Sequence, residues 1–491
     1  MDTTKLPLKE VKTQLASGKL SSVTLVEAFL SQIERQNSTW NILNRVEAES
    51  ARAAAQASDQ RRASGRPKSA WDGIPYVLKD ILCTQGTATT CGSRYLEHFV
   101  PPYQATVVER LDDAGLVRLG KANLDEFAMG GSTETSIFGP ARNPWNPTRT
   151  TGGSSGGSAA SIAARFAPWS IGTDTGGSIR QPAAYCGVCG LKPTYGRLSR
   201  YGLIAYASSL DTVGVFGRTV EELAELYCVV AGHDPRDSTS IQLPPPQLNL
   251  EDTRANLRVG VARQHLDHEG LDPEIRKAIA SAIEQFRAMG AEIVDVELPL
   301  AEYAVPAYYI IAPSEASSNL SRFDGAHYGY RSPKHSESQV NSSPLIDMYC
   351  RSRGEGFGTE VKRRIMLGTY ALSSGYYDAY YLKALRVRRL IRQDYDKVFA
   401  KVDVLLGPTT PGPAFTIGEK VSDPVQMYLE DWYTVGANLA GIPAISIPCG
   451  KTAEGLPIGM QLQAAPLCEE ALLQIAHRYQ THTEYTPEFP S

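Results

Sequence analysis

Two glycine- and serine-rich loops, separated by a short apolar segment, constrain this chain more than any other feature. The first reads Thr-Thr-Gly-Gly-Ser-Ser-Gly-Gly-Ser at residues 150–158, and the second reads Gly-Thr-Asp-Thr-Gly-Gly-Ser-Ile-Arg-Gln-Pro at residues 172–182. A flexible linker has a similar composition, but the intervening residues 159–166 are largely apolar and compatible with a helix. We therefore expect both loops to be ordered parts of a fold.

The second loop suits acyl-transfer chemistry. Such a site needs a serine nucleophile, a proton acceptor and backbone N–H groups directed at the developing oxyanion. Thr175, Gly176 and Gly177 offer consecutive N–H donors directly before Ser178. Glycines also let the backbone approach a substrate without a Cβ clash.

Three other motifs compete with this interpretation. Residues 152–156 match the G-x-S-x-G elbow of α/β-hydrolases, but the preceding Asn-Pro-Trp-Asn-Pro-Thr does not predict the central strand that the elbow needs. Residues 115–121 resemble a P-loop, but Ala122 stands where Ser or Thr must hold Mg²⁺, so a strand is the better interpretation. A phosphate-binding nest at residues 152–158 stays open on residue type alone.

Composition limits the setting in which the chain works. Its 491 residues are 42% apolar and 21% charged, as in ordinary globular proteins. The net charge of −4 gives no overall attraction to nucleic acid or to a membrane. No run of 18 apolar residues and no apolar N-terminal segment occurs, so we expect neither a membrane span nor a cleaved signal peptide.

The eight cysteines are scattered along the chain, which predicts a reduced, cytoplasmic protein rather than a disulfide scaffold. Cys186 and Cys189 form a CxxC without the second pair that a zinc site requires. We expect buried structural cysteines and no bound metal.

Strands that alternate with helices predict an α/β fold. Helices are expected to begin at Thr24, which with Glu27 has capping-box spacing, and after Asp272, an N-cap followed by proline. The polar composition of residues 48–70 predicts the end of a helix followed by a surface loop. The predicted strands are residues 74–78, 115–121, 257–261, 293–298, 402–406, 444–447 and 458–462.

Three further segments bear on organisation. Residues 234–256 are polar and contain three consecutive prolines, which makes them the best linker candidate. Residues 325–343 are expected to form a loop. Residues 376–400 predict a helix whose basic side chains form either a solvated face or an RNA contact. These side chains are Lys383, Arg386, Arg388, Arg389 and Arg392.

Residues 152–183 resemble the amidase signature family. The match comprises Gly-Gly-Ser154-Ser-Gly-Gly and then Asp174-x-Gly-x-Ser178-Ile-Arg180-x-Pro, and Ile-Pro-Tyr-Val-Leu-Lys79-Asp lies upstream. Other matching segments cover nearly the full length. The resemblance implies an α/β/α layered fold with a large mixed central sheet flanked by helices. It also implies that residues 1–491 form one domain, with a possible flexible segment near 234–256.

The resemblance implies a Ser-Ser-Lys triad. Ser178 is then the acyl-forming nucleophile, Ser154 the relay serine, held by a cis peptide after Gly153, and Lys79 the base. A free lysine has a pKa of about 10.4, so Lys79 must be buried to act as a base. The apolar residues on both sides of it suit burial.

The roles of the neighbouring residues follow from the same resemblance. Thr175, Gly176 and Gly177 are the candidate oxyanion donors. Arg180 and Asp174 are expected to be structural, with Asp174 accepting backbone hydrogen bonds of the loop.

Within the family, the chain resembles the subunits that hydrolyse glutamine for tRNA-dependent amidotransferases. This implies that Arg364 binds the α-carboxylate of glutamine, Asp431 its α-ammonium, and that Tyr309 lines the pocket. A structural salt bridge is the alternative role for Arg364 and Asp431. The chain departs from the family pattern at Ile81 and Thr135, where Asn is common, which affects the expected local hydrogen bonds.

The function implied by the resemblance is release of ammonia from glutamine. A larger tRNA-binding kinase subunit, with a small third subunit, then uses that ammonia, ATP and Mg²⁺ to convert Glu-tRNA(Gln) to Gln-tRNA(Gln). This chain itself is expected to bind no cofactor and to meet tRNA mainly through its partner. The alternatives are a stand-alone amidase acting on small amides and a non-catalytic tRNA-binding or scaffold subunit.

Overall fold

The computed structural model describes residues 2–251, 254, 256–327, 329–333 and 343–490. Its strands are β1 (Leu43–Val46), β2 (Pro75–Lys79), β3 (Val117–Ala122), β4 (Arg142–Asn143), β5 (Asn146–Thr150), β6 (Trp169–Asp174), β7 (Cys189–Lys192), β8 (Thr212–Gly217), β9 (Arg258–Ala262), β10 (Glu292–Val296), β11 (Val404–Pro408), β12 (Ala444–Lys451) and β13 (Pro457–Gln463).

The α-helices surround these strands along the chain. They are α1 (Leu8–Ala16), α2 (Ser22–Trp40), α3 (Ala48–Ala63), α4 (Thr106–Asp113), α5 (Gly156–Ala163), α6 (Arg180–Cys186), α7 (Val220–Val230), α8 (Arg263–Leu266), α9 (Pro273–Ala288), α10 (Ala304–Asn319), α11 (Pro344–Gly356), α12 (Thr359–Leu372), α13 (Lys383–Phe399), α14 (Pro424–Leu429), α15 (Val435–Ala440) and α16 (Glu469–His482).

One 11-stranded sheet joins most of the strands, in the order β1-β3-β2-β6-β8-β7-β12-β13-β11-β9-β10. The neighbours β3-β2-β6 and β10-β9-β11 are parallel, and the other neighbours are antiparallel. The predicted α/β fold with a large mixed sheet flanked by helices is therefore confirmed. No helix among the described residues is long and apolar enough to cross a membrane.

The loops singled out in the sequence lie at the carboxyl-terminal ends of the neighbouring strands β2 and β6. Leu78 of β2 pairs with Ile171 of β6 in parallel register, and the carboxyl ends of parallel strands meet at one edge. Lys79 therefore ends β2 beside the loop that follows Asp174 at the end of β6. Every residue of both strands is buried, as is typical of parallel strands covered on both faces.

Most predicted elements occur within a few residues of their expected places. Asp272 caps α9 as predicted, since its carboxylate accepts from the N–H of Glu274 at 2.7 Å. The predicted start at Thr24 is wrong: Ser21, in extended conformation, is the N-cap, and its Oγ accepts from Thr24 N at 3.0 Å. The loop predicted within 48–70 is mostly helix, because α3 continues to Ala63.

The segments expected to be irregular are irregular where the structure describes them. Residues 252, 253 and 255 of the linker candidate, and 328 and 334–342 of the predicted loop, lie outside the described residues. The described part of the linker candidate is tied to the body of the protein, since Arg197 donates to Pro244 O at 2.8 Å and Gln474 to Asn249 O at 2.7 Å.

The helix predicted at 376–400 consists of a π-helical turn, Asp378–Leu382, followed by α13. Its basic residues divide into two sets. Arg388 donates to Leu439 O at 3.0 Å and Arg392 to Ala440 O at 2.6 Å, so both face the protein. Lys383, Arg386 and Arg389 are exposed.

Close packing of α12 on α10 depends on a glycine. A Cβ at Gly368 would lie 1.9 Å from the carbonyl oxygen of Pro313, whereas a Cβ at Gly354 of α11 would meet nothing within 4 Å. We expect Gly368→Ala to lower the free energy of unfolding by about 1–3 kcal/mol through overpacking. Gly354→Ala should raise it by up to about 1 kcal/mol through helix propensity. Urea unfolding of both variants measures this; equal effects would contradict the packing.

Candidate active site

The amine of Lys79 lies among three hydroxyl groups. Its Nζ is 2.8 Å from each of Ser154 Oγ, Ser155 Oγ and Thr173 Oγ1. The side chain is fully buried, so these hydroxyls replace the water that an exposed amine would have. The structure thus brings Lys79 and Ser154 into direct contact, as the predicted triad requires.

Burial lowers the pKa of Lys79 to about 7, although the carboxylates of Asp125, Asp174 and Asp211 act in the opposite direction. Desolvation disfavours the charged amine, and three nearby anions favour it. Lys79 is therefore close to the balance between amine and ammonium at neutral pH. This is the state that a general base needs.

The peptide bond between Gly153 and Ser154 is cis, as the resemblance implies. Gly153 N donates to Gln181 Oε1 at 2.9 Å, and Asp125 N donates to Ser154 O at 3.3 Å. A Cβ at Gly153 would lie 2.0 Å from Asp125 Oδ2. Asp125 and Gln181, which sequence reasoning did not select, thus enclose this peptide and require glycine before the serine.

Ser178 is the most exposed of the three triad candidates. It is 8% exposed, whereas Lys79 and Ser154 are at 0%. Its carbonyl oxygen accepts from Ser155 N at 3.2 Å, which joins the second glycine-rich loop to the first. Of the three, only Ser178 therefore retains some exposure to solvent.

Thr175, Gly176 and Gly177 form the backbone directly before Ser178. Among the described residues, none of their N–H groups donates to another protein group. Gly177 has φ +143°, and a Cβ there would lie 2.3 Å from Thr434 Oγ1; glycine is the residue that tolerates both conditions. Thr434 also donates to Gly176 O at 2.6 Å.

Arg180 and Asp174 form a fully buried ion pair below this loop, as expected. Two guanidinium nitrogens donate to the carboxylate at 3.1 and 3.0 Å, and Asp174 also accepts from Ile179 N at 3.2 Å. Burial acts to raise the pKa of Asp174, but Arg180 holds it below its ordinary value. Arg180 further donates to Thr434 O at 2.9 Å and to Asn438 Oδ1 at 2.5 Å.

Arg364 lies in a cage of tyrosines. Its guanidinium carbon is 5.6, 5.4 and 5.4 Å from the ring centroids of Tyr206, Tyr309 and Tyr428. Nη1 donates to Tyr206 Oη at 2.7 Å and Nε to Glu360 Oε1 at 2.8 Å, and neither bond uses Nη2. Arg364 is only 3% exposed.

Asp431 lies beside the same cage. Its Oδ2 accepts from Tyr309 Oη at 2.8 Å. Burial raises the pKa of Asp431 to about 7, although Tyr309 and Arg364 lower it. The structure therefore brings together the three residues expected to bind glutamine. The alternative role, a structural salt bridge, applies to Arg364, which pairs with Glu360, whereas Asp431 accepts a hydrogen bond from a hydroxyl group.

The other motifs considered in the sequence, the candidate phosphate nest and the CxxC pair, have structural roles. Four backbone N–H groups of the candidate phosphate nest, those of Gly152, Gly153, Ser155 and Gly157, donate to protein oxygens, which contradicts the nest. Cys186 and Cys189 are buried free thiols, as expected. The described residues contain no cluster of three or more potential metal ligands.

The two departures from the family pattern have different consequences. Thr135 Oγ1 donates to Asp125 Oδ1 at 3.0 Å and accepts from Glu126 N at 2.9 Å, so its hydroxyl supplies local hydrogen bonds. Ile81 is 1% exposed and packs in the core.

The comparisons with known proteins cover almost the whole chain. The amidase family model matches residues 24–473. A subunit of the glutamyl-tRNA(Gln) amidotransferase of Rhodopirellula baltica is 55% identical, over 98% of each chain. The crystal structure of the same subunit from Thermotoga maritima is 37% identical with a TM-score of 0.78, covering 98% of this chain and 95% of that one. A peptide amidase from Stenotrophomonas maltophilia is 29% identical with a TM-score of 0.80, over 98% of each chain.

The buried ion pair under the second glycine-rich loop allows a stability test. Arg180→Met leaves Asp174 as an unpaired buried charge, which costs about 3–5 kcal/mol of unfolding free energy. Arg52 also pairs with a carboxylate through two nitrogens, at 2.6 and 3.1 Å, but is exposed, so we expect Arg52→Met to change stability little. Chemical denaturation of both variants measures the difference. A small loss for Arg180→Met would show that the pair does not stabilise the loop.

Proposed function

The chain belongs to the amidase family, and from that premise we propose that it is the glutamine-hydrolysing subunit of a glutamyl-tRNA(Gln) amidotransferase. The observation that carries the proposal is the contact of 2.8 Å between Lys79 Nζ and Ser154 Oγ, with the pKa of Lys79 lowered by burial to about 7. The relatives named as subunits of that amidotransferase, at 51–55% identity, support the choice of reaction.

The proposed reaction proceeds through an acyl-enzyme. Ser178 Oγ attacks the side-chain carbonyl of glutamine, Ser154 takes the proton of Ser178, and neutral Lys79 takes the proton of Ser154. The N–H groups of Thr175, Gly176 and Gly177 are the candidate donors to the oxyanion. Return of the proton expels ammonia and leaves a glutamyl ester on Ser178. Water then hydrolyses this ester to glutamate.

The tyrosine cage supplies selectivity for an amino acid. Arg364 is the proposed partner of the α-carboxylate and Asp431 of the α-ammonium, with Tyr309 between them. Charge-assisted hydrogen bonds of this kind are stronger than neutral ones, and a low-dielectric site strengthens them further. Thr434 Oγ1 donates to Asp431 O, at 3.1 Å, and to Gly176 O, at 2.6 Å. The proposed glutamine subsite is therefore connected to the loop that carries the candidate oxyanion donors.

The rest of the reaction belongs to partners. The proposal assigns ATP, Mg²⁺ and most tRNA contacts to a larger kinase subunit, with the help of a small third subunit, in the cytoplasm. It assigns no cofactor to this chain. We also propose that residues 1–491 form a single domain, since one sheet includes strands from both sides of residues 234–256.

A stand-alone amidase is the second candidate, favoured by the likeness to the peptide amidase. Gentle affinity purification of the tagged protein from its own cells, with mass spectrometry of the eluate, separates the two. Recovery of a larger tRNA-binding subunit together with a small third one supports the amidotransferase. Recovery of this chain alone, with hydrolysis of simple amides, supports the stand-alone enzyme.

Replacement of the nucleophile tests the mechanism. We expect Ser178→Ala to reduce glutamine hydrolysis by at least about 10³-fold, because the acyl-enzyme cannot form. Ser64→Ala, at an exposed helix end, should leave it unchanged. Ammonia release measures both. Substantial activity in the Ser178→Ala protein would overturn the assignment and favour a non-catalytic subunit.

The acid limb of the pH profile tests both titrating groups. Lys79 must be neutral and Asp431 ionised, and each has a pKa of about 7, so a fall in pH removes both active forms. Below about pH 6, log kcat/KM should therefore fall with a slope approaching 2. In Asp431→Asn the slope should fall to 1, with a raised KM. A slope of 1 in the unmodified enzyme would contradict one of the two roles.

A further inference from the structure

The carboxylate of Asp211 lies between the loop of residues 175–177 and the tyrosine cage around Arg364. Asp211 directly precedes β8, and residue 175 directly follows β6. Asp174 of β6 pairs with Thr212 of β8 in antiparallel register, so residues 175 and 211, one step beyond this pair, lie opposite each other. The side chain of Asp211 is buried, and it takes no part in the proposed proton transfers.

On one side, Asp211 holds the loop that carries the candidate oxyanion donors. Its Oδ1 accepts from Thr175 Oγ1 at 2.7 Å. Among the described residues this is the only hydrogen bond of Thr175, whereas Gly176 is held through its carbonyl oxygen by Thr434 at 2.6 Å. The hydroxyl of Thr175 therefore fixes the end of the loop at which the first candidate N–H donor lies.

On the other side, Asp211 holds the turn that carries Tyr206. Its Oδ2 accepts from Tyr206 N at 2.9 Å, and both carboxylate oxygens accept from Ala207 N at 3.1 Å. The hydroxyl of Tyr206 accepts in turn from Arg364 Nη1 at 2.7 Å. Through Tyr206, Asp211 is thus connected to the cation that is proposed to bind the α-carboxylate of glutamine.

These contacts require an ionised carboxylate. Burial raises the pKa of Asp211 to about 6, although its hydrogen bonds act to lower it, so the group is ionised at neutral pH and accepts on both oxygens. The three donors are neutral, so no bonded cation offsets the cost of burying this charge. A costly buried charge of this kind is typical of functional sites.

We propose that Asp211 is a positioning residue for the proposed hydrolysis and aligns the oxyanion donors with the tyrosine cage. The inference rests on the proposed function and adds a residue to it. The attacked carbonyl and the α-carboxylate belong to one glutamine molecule, so the donors and the cage must keep a fixed separation. A misplacement of about 1 Å costs up to about 10²-fold in rate. Because Asp211 bonds both elements directly, its loss affects turnover and binding together.

Removal of the contacts tests this role. Asp211→Ala removes all of them, whereas Thr175→Val removes only the contact with the loop and keeps the backbone N–H. The control is Asp72→Ala: Asp72 is also buried and accepts two hydrogen bonds from Arg61, at 2.8 and 2.5 Å, but lies ahead of β2, at the end opposite Lys79.

Each full chain is purified from its own cells with the subunits that it retains. Ammonia release from glutamine gives kcat and KM at about pH 8, where Asp211 is ionised and Lys79 is largely neutral. Chemical denaturation of the same proteins gives their stability.

We expect Thr175→Val to lower kcat at least about 10-fold with little change in KM, since loss of one oxyanion donor costs about 10²–10³-fold. Asp211→Ala should lower kcat and also raise KM at least about threefold. The double variant Asp211→Ala/Thr175→Val should have the kcat of Asp211→Ala, because both changes break the same contact. Asp72→Ala should lower stability alone.

An unchanged kcat in Thr175→Val, or losses that multiply in the double variant, would overturn this role. The first of these results decides even if Asp211→Ala does not fold. A less stable Asp211→Ala protein with unchanged kcat and KM would show that the carboxylate only supports the fold. None of these results affects the proposed function while Ser178→Ala is inactive. If the unmodified protein hydrolyses simple amides but not glutamine, the proposed function fails, and kcat of the same variants on such an amide decides the role of Asp211.

Discussion

Burial of the Lys79 amine is the constraint on which the rest of the site depends. An isolated ammonium group in the protein interior is strongly disfavoured, so the amine must be neutral or surrounded by polar partners. The hydroxyls of Ser154, Ser155 and Thr173 at 2.8 Å provide those partners. The fully buried strand β2 delivers the amine to them. The same desolvation that makes the lysine costly to bury lowers its pKa and makes it useful as a base.

A second constraint is the connection between segments far apart in sequence. Arg180 joins the second glycine-rich loop to Thr434, Asn438 and Gln461 near the C-terminus through buried hydrogen bonds. Thr434 in turn contacts both Gly176 and Asp431. Breaking one partner of such a network leaves buried groups unsatisfied. The loop that would hold an oxyanion and the carboxylate that would hold an ammonium are therefore parts of one rigid unit.

The sequence predicted the fold class and the glycine-rich loops because local composition and spacing carry that information. Asp272 before Pro273 predicted a helix start correctly, since an N-cap acts within one turn. Thr24 misled because Ser21, three residues earlier, satisfies the same helix end. Asp125, Gln181 and Thr434 could not be found in this way. Their roles arise from contacts with residues 28 to 258 positions away, and a single sequence has no local signal for such contacts.

Burial favours the neutral form of both Lys79 and Asp431, although it moves their pKa values in opposite directions. It lowers the pKa of the lysine and raises that of the aspartate, and both reach about 7. In the proposed complex with glutamine, the α-ammonium brings a positive charge to Asp431 and lowers its pKa again. The side-chain amide at the Lys79 end is neutral and brings no such charge. In the proposed complex, substrate binding thus favours the ionised form of Asp431, whereas it brings no charge that would shift the balance between amine and ammonium at Lys79.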